Sequence, residues 1–466
     1  MPLVTDAAAA IASAKINSHM INHTTKMVVR APHAASKTAL QAIYSPPTRY
    51  EQPFTGFRIA ATDRAESVVA EVVSLLLRYE QHRAPRKRKR KTGDFQTFER
   101  QVEALVCDLI HSELARPDGW LAIELSNTAL GSRDRYKSIA ISKTLKDVLG
   151  YMATPEMELV KHRRGVWVPS DPSLSMLSTI RAGERLRNLI QDRQLTCADF
   201  TLDNSQETIV LKDTKADHND AGSWLQYDDT DQTHKYRSDM AFINDALAEA
   251  DIQYRPCPTD GQVVDTADRH LRRYFNNGSF QKGGRLFGGF WLNMSKMNRR
   301  GILIQGVPTV TLDFGQMNPR ILYGLAGEKF NAEDAYTIPR LEEYRDGVKV
   351  VFNSMLHRTS PMKKKPRGSA ELFPGHVRIK EITSGIIIFH KPIADLFYKG
   401  IGLDLLYKES QILVEVLTEL LRLGITALPV HDAVIVAEHH QDQATTIMLA
   451  VFKKQTNIDG VVKVDA

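Results

Sequence analysis

The chain has 466 residues, with 61 Lys and Arg against 55 Asp and Glu for a net charge of +6, and 42% of its residues are hydrophobic. That length supports two or three domains with a sizeable core, and no apolar run reaches the roughly 18 residues that a membrane helix needs. The basic balance favours a polyanionic partner. The three cysteines, Cys107, Cys197 and Cys257, are too few for a disulfide framework and too scattered for a paired zinc motif, which fits a reducing, cytoplasmic setting.

Residues 1–60 combine Ala, Ser, Thr and Pro with little periodicity and read as a loosely ordered arm. Residues 61–115 form a helical segment with a basic linker. Apolar residues recur at helical spacing over 63–80, stop before Pro85, and resume over 95–114. Between the two stand Arg83 and the run Arg86, Lys87, Arg88, Lys89, Arg90 and Lys91. This run is either a solvated linker or a segment that contacts nucleic-acid phosphates with salt-sensitive affinity. In residues 116–190, Ser142 is placed to cap a helix that Gly150 would end, and 158–168 reads as two short strands around a basic turn. Helix, helix and basic ribbon outline a winged-helix DNA-binding domain, and equally an ordinary α+β packing unit. Residues 191–270 read as a connector or thumb-like region. A helix is expected over 179–194, a strand over 207–213, an Asp-rich loop over 219–233 without calcium-loop spacing, and a helix over 236–250.

The chemistry concentrates in residues 271–466. Paired glycines, aromatics and Arg285 fill the stretch 280–291, a pattern that suits close backbone approach and stacking. Residues 309–314 read as a strand carrying Asp313 near its end, followed by a helix over 319–326. Arg320 lies two turns down that helix and would neutralise Asp313 without any metal; a bound cation is the other account. A helix over 335–356 places Arg345 and Lys349 four residues apart, where a triphosphate between them would relieve their repulsion. Lys363, Lys364 and Lys365 form a basic loop suited to a phosphate backbone. In the helix expected over 407–423, Ser410 reads as an N-cap and Gln411 as a residue able to reach a minor-groove acceptor. Residues 425–436 read as a hairpin whose turn holds His431 and Asp432. Two carboxylates on neighbouring strands bind two divalent cations for in-line phosphoryl transfer, and His431 beside them would meet a primer end.

In order and spacing, G-G-R at 283–285, D-F-G-Q-M-N-P-R at 313–320, R-D-G-V-K at 345–349 and V-H-D at 430–432 resemble the four palm-and-fingers motifs of family A DNA polymerases and single-subunit phage-type RNA polymerases. The phrasing L-D-F-G-Q-M-N-P-R-I-L-Y and L-P-V-H-D more closely resembles a compact group of related polymerases carried by transposons, viruses and other mobile elements. The resemblance implies an α+β fold: a right-hand polymerase palm with an antiparallel sheet and helical fingers, preceded by a mostly helical N-terminal region. It implies that Asp313, Asp432 and the Phe314 carbonyl hold two Mg2+ or Mn2+ ions, with His431 in the catalytic group. Arg345, Lys349, Gln316, Asn318 and His357 would face the nucleoside triphosphate, and Arg285, Arg320 and Gln411 the DNA. The chain departs from the pattern at three positions. Asn318 stands where the DNA enzymes carry a ribose-excluding glutamate, His357 where a tyrosine is usual, and Ala433 where an acid or serine follows the His-Asp pair. The implied activity is nucleotide addition to a 3′ hydroxyl, templated or not, and a DNA-binding initiator that has lost catalysis is the other reading.

Overall fold

The structure, a computed structural model, describes residues 52–83, 85, 88–116, 119–132, 134–166, 168–170, 175–203, 205–215, 220, 222–256 and 264–465. Arg86, Lys87, Cys257 and the first 51 residues of the expected arm lie outside the described residues. The chain divides into two compact units. One comprises Met1–Glu51 with Trp167–Met176, and its described part holds a hydrogen bond from Val168 N to Ser175 Oγ at 3.0 Å. The other comprises Gln52–Val166 with Leu177–Ala466 and contains every element discussed below.

Within this second unit the N-terminal half builds one hydrophobic core. Two short strands, β1 (Gln52–Pro53) and β2 (Arg58–Ala60), precede helix α1 (Asp63–Arg83) and helix α2 (Thr92–Ala115). In α1, Asp63 and Glu66 in the first turn and His82 and Arg83 in the last complement the helix dipole, while Val68, Val72 and Leu76 form its buried stripe. Helix α2 is buried on nearly every side from Gln101 to Ser112, as expected of a helix central to a core. The last residues of the expected arm are therefore ordered: Phe54 and Phe57 are buried, and β2 pairs with a later strand.

Strand β3 (Leu121–Ile123), helix α3 (Asn127–Gly131), helix α4 (Leu145–Met152), strands β4 (Val160–Arg163) and β5 (Ser178–Ala182), and helix α5 (Glu184–Asp192) follow. Their strands join β1 in a sheet of order β1-β3-β5-β4. Three local expectations change here. The residue ahead of α4 is Thr144 rather than Ser142, its side chain makes no capping bond, and Gly150 lies inside the helix. The partner of β4 is not the far side of a turn within 158–168 but β5, with Val160 opposite Ala182. Residues 179–182, expected as helix, belong to strand β5, where Ile180 and Ala182 are buried on the sheet face at a spacing of two.

The C-terminal half adds β6 (Phe200–Leu202), β7 (Ile209–Leu211), α6 (Asp231–Glu249), β8 (Ile252–Tyr254), β9 (Leu271–Asn276), β10 (Ser279–Gly288), α7 (Lys296–Arg299), β11 (Ile302–Ile304) and β12 (Val307–Phe314). After these come α8 (Met317–Ala326), α9 (Arg345–His357), α10 (Ile379–Phe389), α11 (Gly402–Arg422), β13 (Ala427–Val430), β14 (Ala433–Ala437), α12 (Gln441–Thr456) and β15 (Val462–Asp465). Strand β12 lies at the centre of a sheet of order β13-β14-β12-β11-β8, with β15 pairing antiparallel to its C-terminal end. A second sheet has the order β10-β9-β7. The helix expected over 335–356 is shorter: α9 begins at Arg345, because Pro339 and the turn around Leu341 interrupt the pattern. Among the described residues no helix is long and apolar enough to cross a membrane.

Candidate active site

The β13–β14 hairpin forms as its sequence suggests, with His431 in the left-handed region (φ 57°) so that the chain reverses in two residues. The β12–β14 register sets Asp313 opposite Ala433, one residue past Asp432, and Phe314 N donates to the Asp432 carbonyl at 3.5 Å. The two acids thus stand side by side at the ends of paired strands. Burial and then the charge of Asp432 push the Asp313 carboxyl up to about 6, against a partial offset from Lys349. Among the described residues no hydrogen bond or ion pair occupies either carboxylate.

Arg320 does not neutralise Asp313. Its Nη1 donates to the Asp459 carbonyl at 2.8 Å, and its guanidinium lies 4.9 Å from the centre of the Phe330 ring. Gln316 is likewise committed to structure. It takes the left-handed conformation (φ 58°) that turns the chain from β12 into α8, accepts from Ala335 N at 2.8 Å and donates to the Glu333 carbonyl at 3.2 Å.

Helix α9 supplies the cations. Lys349 is exposed and close enough for its charge to act on Asp313. Arg345 is held by Asp334, with Nη2 and Nε at 2.7 and 3.0 Å from Oδ2. The other Asp334 oxygen accepts from Tyr336 N and Thr337 N, so the loop ahead of α9 is shaped around the carboxylate that orients Arg345. Asn318 Nδ2 donates to Asn353 Oδ1 at 3.0 Å, which ties the start of α8 to α9. His357, at the end of α9, lies against the N-terminus of α11. A Cβ at Gly402 would stand 2.1 Å from His357 Nδ1, so the glycine is what admits the ring.

The G-G-R stretch is used in a similar way. Gly284 has φ 84°, and a Cβ there would lie 2.6 Å from Ser410 Oγ, so the backbone of β10 meets α11 with no room for a side chain. Ser410 is mid-helix rather than a cap. Its Oγ donates to the Tyr407 carbonyl and accepts from Arg273 Nη2 at 2.9 Å. Arg273 is fully buried and also donates to the Gly284 carbonyl at 3.0 Å. Gln411 Nε2 donates to Tyr236 Oη at 3.3 Å, which directs it toward α6.

Glu409, beside Ser410 and Gln411, carries no local signal of a site role and enters the site only because α11 lies along β10. It is buried and takes Arg285 Nε at 2.9 Å and Nη2 at 2.7 Å. Burial pushes its carboxyl up to about 7; Arg285 opposes the shift, and Asp432 and Asp313 add to it. Asp465, near the end of β15, is a further acid whose charge acts on Asp313. His431 is held below its ordinary value by burial and by Arg285. The site is thus a negatively charged strand end, lined by Asp313, Asp432 and Glu409, facing Lys349 and Arg285. Of the basic run, Arg88 is exposed, while Arg90 donates to Glu80 at 2.6 Å and covers the Phe98 ring at 4.0 Å, so part of that run is structural.

No family model and no curated protein matches the chain. Among solved structures, the POL domain of Pol1 from M. smegmatis, in complex with DNA primer-template and dNTP, is similar at 13% identity and a TM-score of 0.28. The match covers 50% of this chain and 51% of that one, so this chain spans about half of the neighbour's length.

Proposed function

We propose that the chain is a nucleotidyltransferase that extends a 3′ hydroxyl on a nucleic-acid template with nucleoside triphosphates, as a DNA polymerase or a primer-synthesising polymerase serving a mobile element. The observation that carries this reading is the pair Asp313 and Asp432, brought together by the β12–β14 register with no protein cation bonded to either and with Lys349 facing them. A purely structural acid pair would be compensated by an arginine, as Glu409 is by Arg285.

The donor set fits hard divalent cations. Two carboxylates and the Phe314 carbonyl offer oxygen only, and repulsion between the carboxylates is what a cation relieves. When bound there by Asp313, Asp432 and the Phe314 carbonyl, two Mg2+ or Mn2+ ions would supply Lewis acidity and neutralise charge on the entering and leaving oxygens. The chain's own residues do the rest. Lys349 and Arg345 bind the triphosphate oxygens, Asp334 keeps Arg345 in place, and Arg285, fixed by Glu409, presents its remaining donor edge to the nucleic acid near the acids. The 3′ hydroxyl gives up its proton to solvent, its oxygen bonds to the α-phosphorus as the bond to pyrophosphate breaks, and positioning with charge stabilisation supplies most of the rate. The exposed basic side chains on β4, together with Arg88, make residues 116–190 and the linker ahead of them the proposed duplex-binding region.

The test is incorporation by the purified chain with Mg2+ or Mn2+ on primed and unprimed single-stranded templates. Deoxynucleotides are compared with ribonucleotides because Asn318 leaves sugar choice open. Template-dependent product that disappears in Asp432→Asn supports the proposal. Product without template moves the reading to terminal addition, and tight DNA binding with no product under any condition moves it to a replication initiator.

A further inference from the structure

Far from the acid pair in sequence, the fold assembles a second cluster of ligating groups. His111 lies near the C-terminal end of α2, Cys197 opens a short 3-10 turn (Cys197–Asp199) ahead of β6, and Asp265 precedes β9. Their ligand atoms all lie within 4.8 Å of one another. His111 is 4% exposed, and its Nε2 is buried without a hydrogen-bond partner although it points at Asp265 Oδ2 from 3.3 Å. Asp265 is pre-oriented: its Oδ1 accepts from Ala267 N at 3.1 Å, which leaves Oδ2 turned to the histidine. The ring of His111 is further fixed edge-on against Phe200, at 6.4 Å between centres.

We propose that His111, Cys197 and Asp265 form a binding site for one Zn2+ ion, distinct from the candidate active site. An imidazole nitrogen, a thiolate sulfur and a carboxylate oxygen are the donor types zinc takes, whereas Mg2+ takes oxygen. A tetrahedral zinc with bonds of about 2.0–2.3 Å sets its ligand atoms roughly 3.3–3.8 Å apart. The His111–Asp265 edge of 3.3 Å already has that length, and the remaining edges need to close by no more than about 1 Å. On binding, the Cys197 thiol gives its proton to solvent and the thiolate, the neutral imidazole and the carboxylate each donate one pair of electrons. His111 and Asp265 also line a cavity of about 280 Å³ together with Asp108, Asp268 and His270, and a solvent water would complete a tetrahedral sphere. Asp108, one turn before His111 on α2, is engaged by Arg58 at 3.2 Å and by Gly56 N at 3.4 Å and so stays outside the coordination set.

The ion would clip together three segments that are remote in sequence and belong to both halves of the second unit. Closing long loops in this way acts against the entropy of the unfolded chain.

The experiment uses the full chain purified without a histidine tag. Its metal content is measured by inductively coupled plasma mass spectrometry, and the metal-stripped chain is titrated with cobalt(II), whose bond to a thiolate gives a charge-transfer band in the near ultraviolet. About one zinc per chain, a cobalt spectrum with intense tetrahedral d–d bands and the thiolate band, and loss of that band in Cys197→Ser are expected. Asp313→Asn and Asp432→Asn should keep the full zinc content. Far-ultraviolet circular dichroism shows whether Cys197→Ser and His111→Ala fold. The wild-type cobalt titration decides the matter even if they do not. A wild-type chain that shows no thiolate band, or a band that survives Cys197→Ser, overturns the assignment.

Discussion

Arg285 donates through both Nε and Nη2 to one oxygen of Glu409, at 2.9 and 2.7 Å, across the junction of β10 and α11. Glu409 is buried while Arg285 keeps about a third of its side chain exposed, so the pair anchors a guanidinium at the edge of the acid site. Removing the arginine would strand a buried carboxylate. Arg285→Ala is expected to cost about 2–3 kcal/mol and Glu409→Gln less, with a coupling of about 1–2 kcal/mol in the double-mutant cycle measured by urea unfolding. A coupling near zero would mean that the pair does not hold this junction.

The crowding of Asp313 by Asp432 gives stability and activity opposite signs. Asp313→Asn is expected to abolish incorporation while leaving nucleic-acid binding within about twofold. In metal-free buffer at pH 7.5 it should stabilise the chain by roughly 1 kcal/mol, a figure reduced for solvent screening at this half-exposed group. Thermal denaturation with and without Mg2+ checks it. A variant that retains synthesis would remove Asp313 from the metal-binding pair.

Stability should depend on pH through the same groups. Asp313 and Glu409 titrate at about 6 and about 7 in the folded chain, above the ordinary carboxylate range near 4. The folded state therefore holds protons that the unfolded chain has released. Their stabilising contribution is complete below pH 4 and is lost as pH rises through 6 and 7. The difference in unfolding free energy between wild type and an Asp313→Asn, Glu409→Gln double variant, followed from pH 4 to 8 without divalent ions, should drift against the wild type over that window. Adding Mg2+ should reverse the drift more at pH 7.5 than at pH 5.

On the nucleotide side, Lys349→Ala and Arg345→Ala should each lower kcat/KM for the triphosphate by about a hundredfold or more, on the order of 3 kcal/mol of transition-state stabilisation. Asp334→Ala releases Arg345 from its 2.7 and 3.0 Å bonds and removes the acceptor for Tyr336 N and Thr337 N, without removing a cation, so its loss should be nearer tenfold. Steady-state incorporation kinetics separate the three. An Asp334→Ala effect as large as that of Arg345→Ala would show that Asp334 itself meets the nucleotide.

Gly284 is a tightly constrained backbone position near the site. Gly284→Ala adds a Cβ 2.6 Å from Ser410 Oγ at a φ of 84°, and should destabilise by about 2–3 kcal/mol. Because α11 carries Glu409, the same change should also lower incorporation, read on protein shown to be folded at the assay temperature.

What the sequence determines on its own is what lies close along the chain. The β13–β14 hairpin, β12 with Asp313 near its end, and the helices α1, α2, α6, α9 and α11 follow from local apolar spacing and turn residues, so Asp313, Asp432 and the Arg345–Lys349 face were legible. Pro339 is a local interruption that shortens α9, whereas strand β5, written in residues that also suit a helix, was decided by its partners β3 and β4. Only the tertiary structure decides how charges are matched. Arg320 turns to the Asp459 carbonyl rather than to Asp313, Glu409 becomes a buried third acid, Gln411 faces Tyr236, and Cys197 meets His111 and Asp265. The physical reason is range. Helix and hairpin propensities act over a few residues, whereas the environment of a carboxylate or thiol is set by whichever distant segments the packed core brings within a few ångströms.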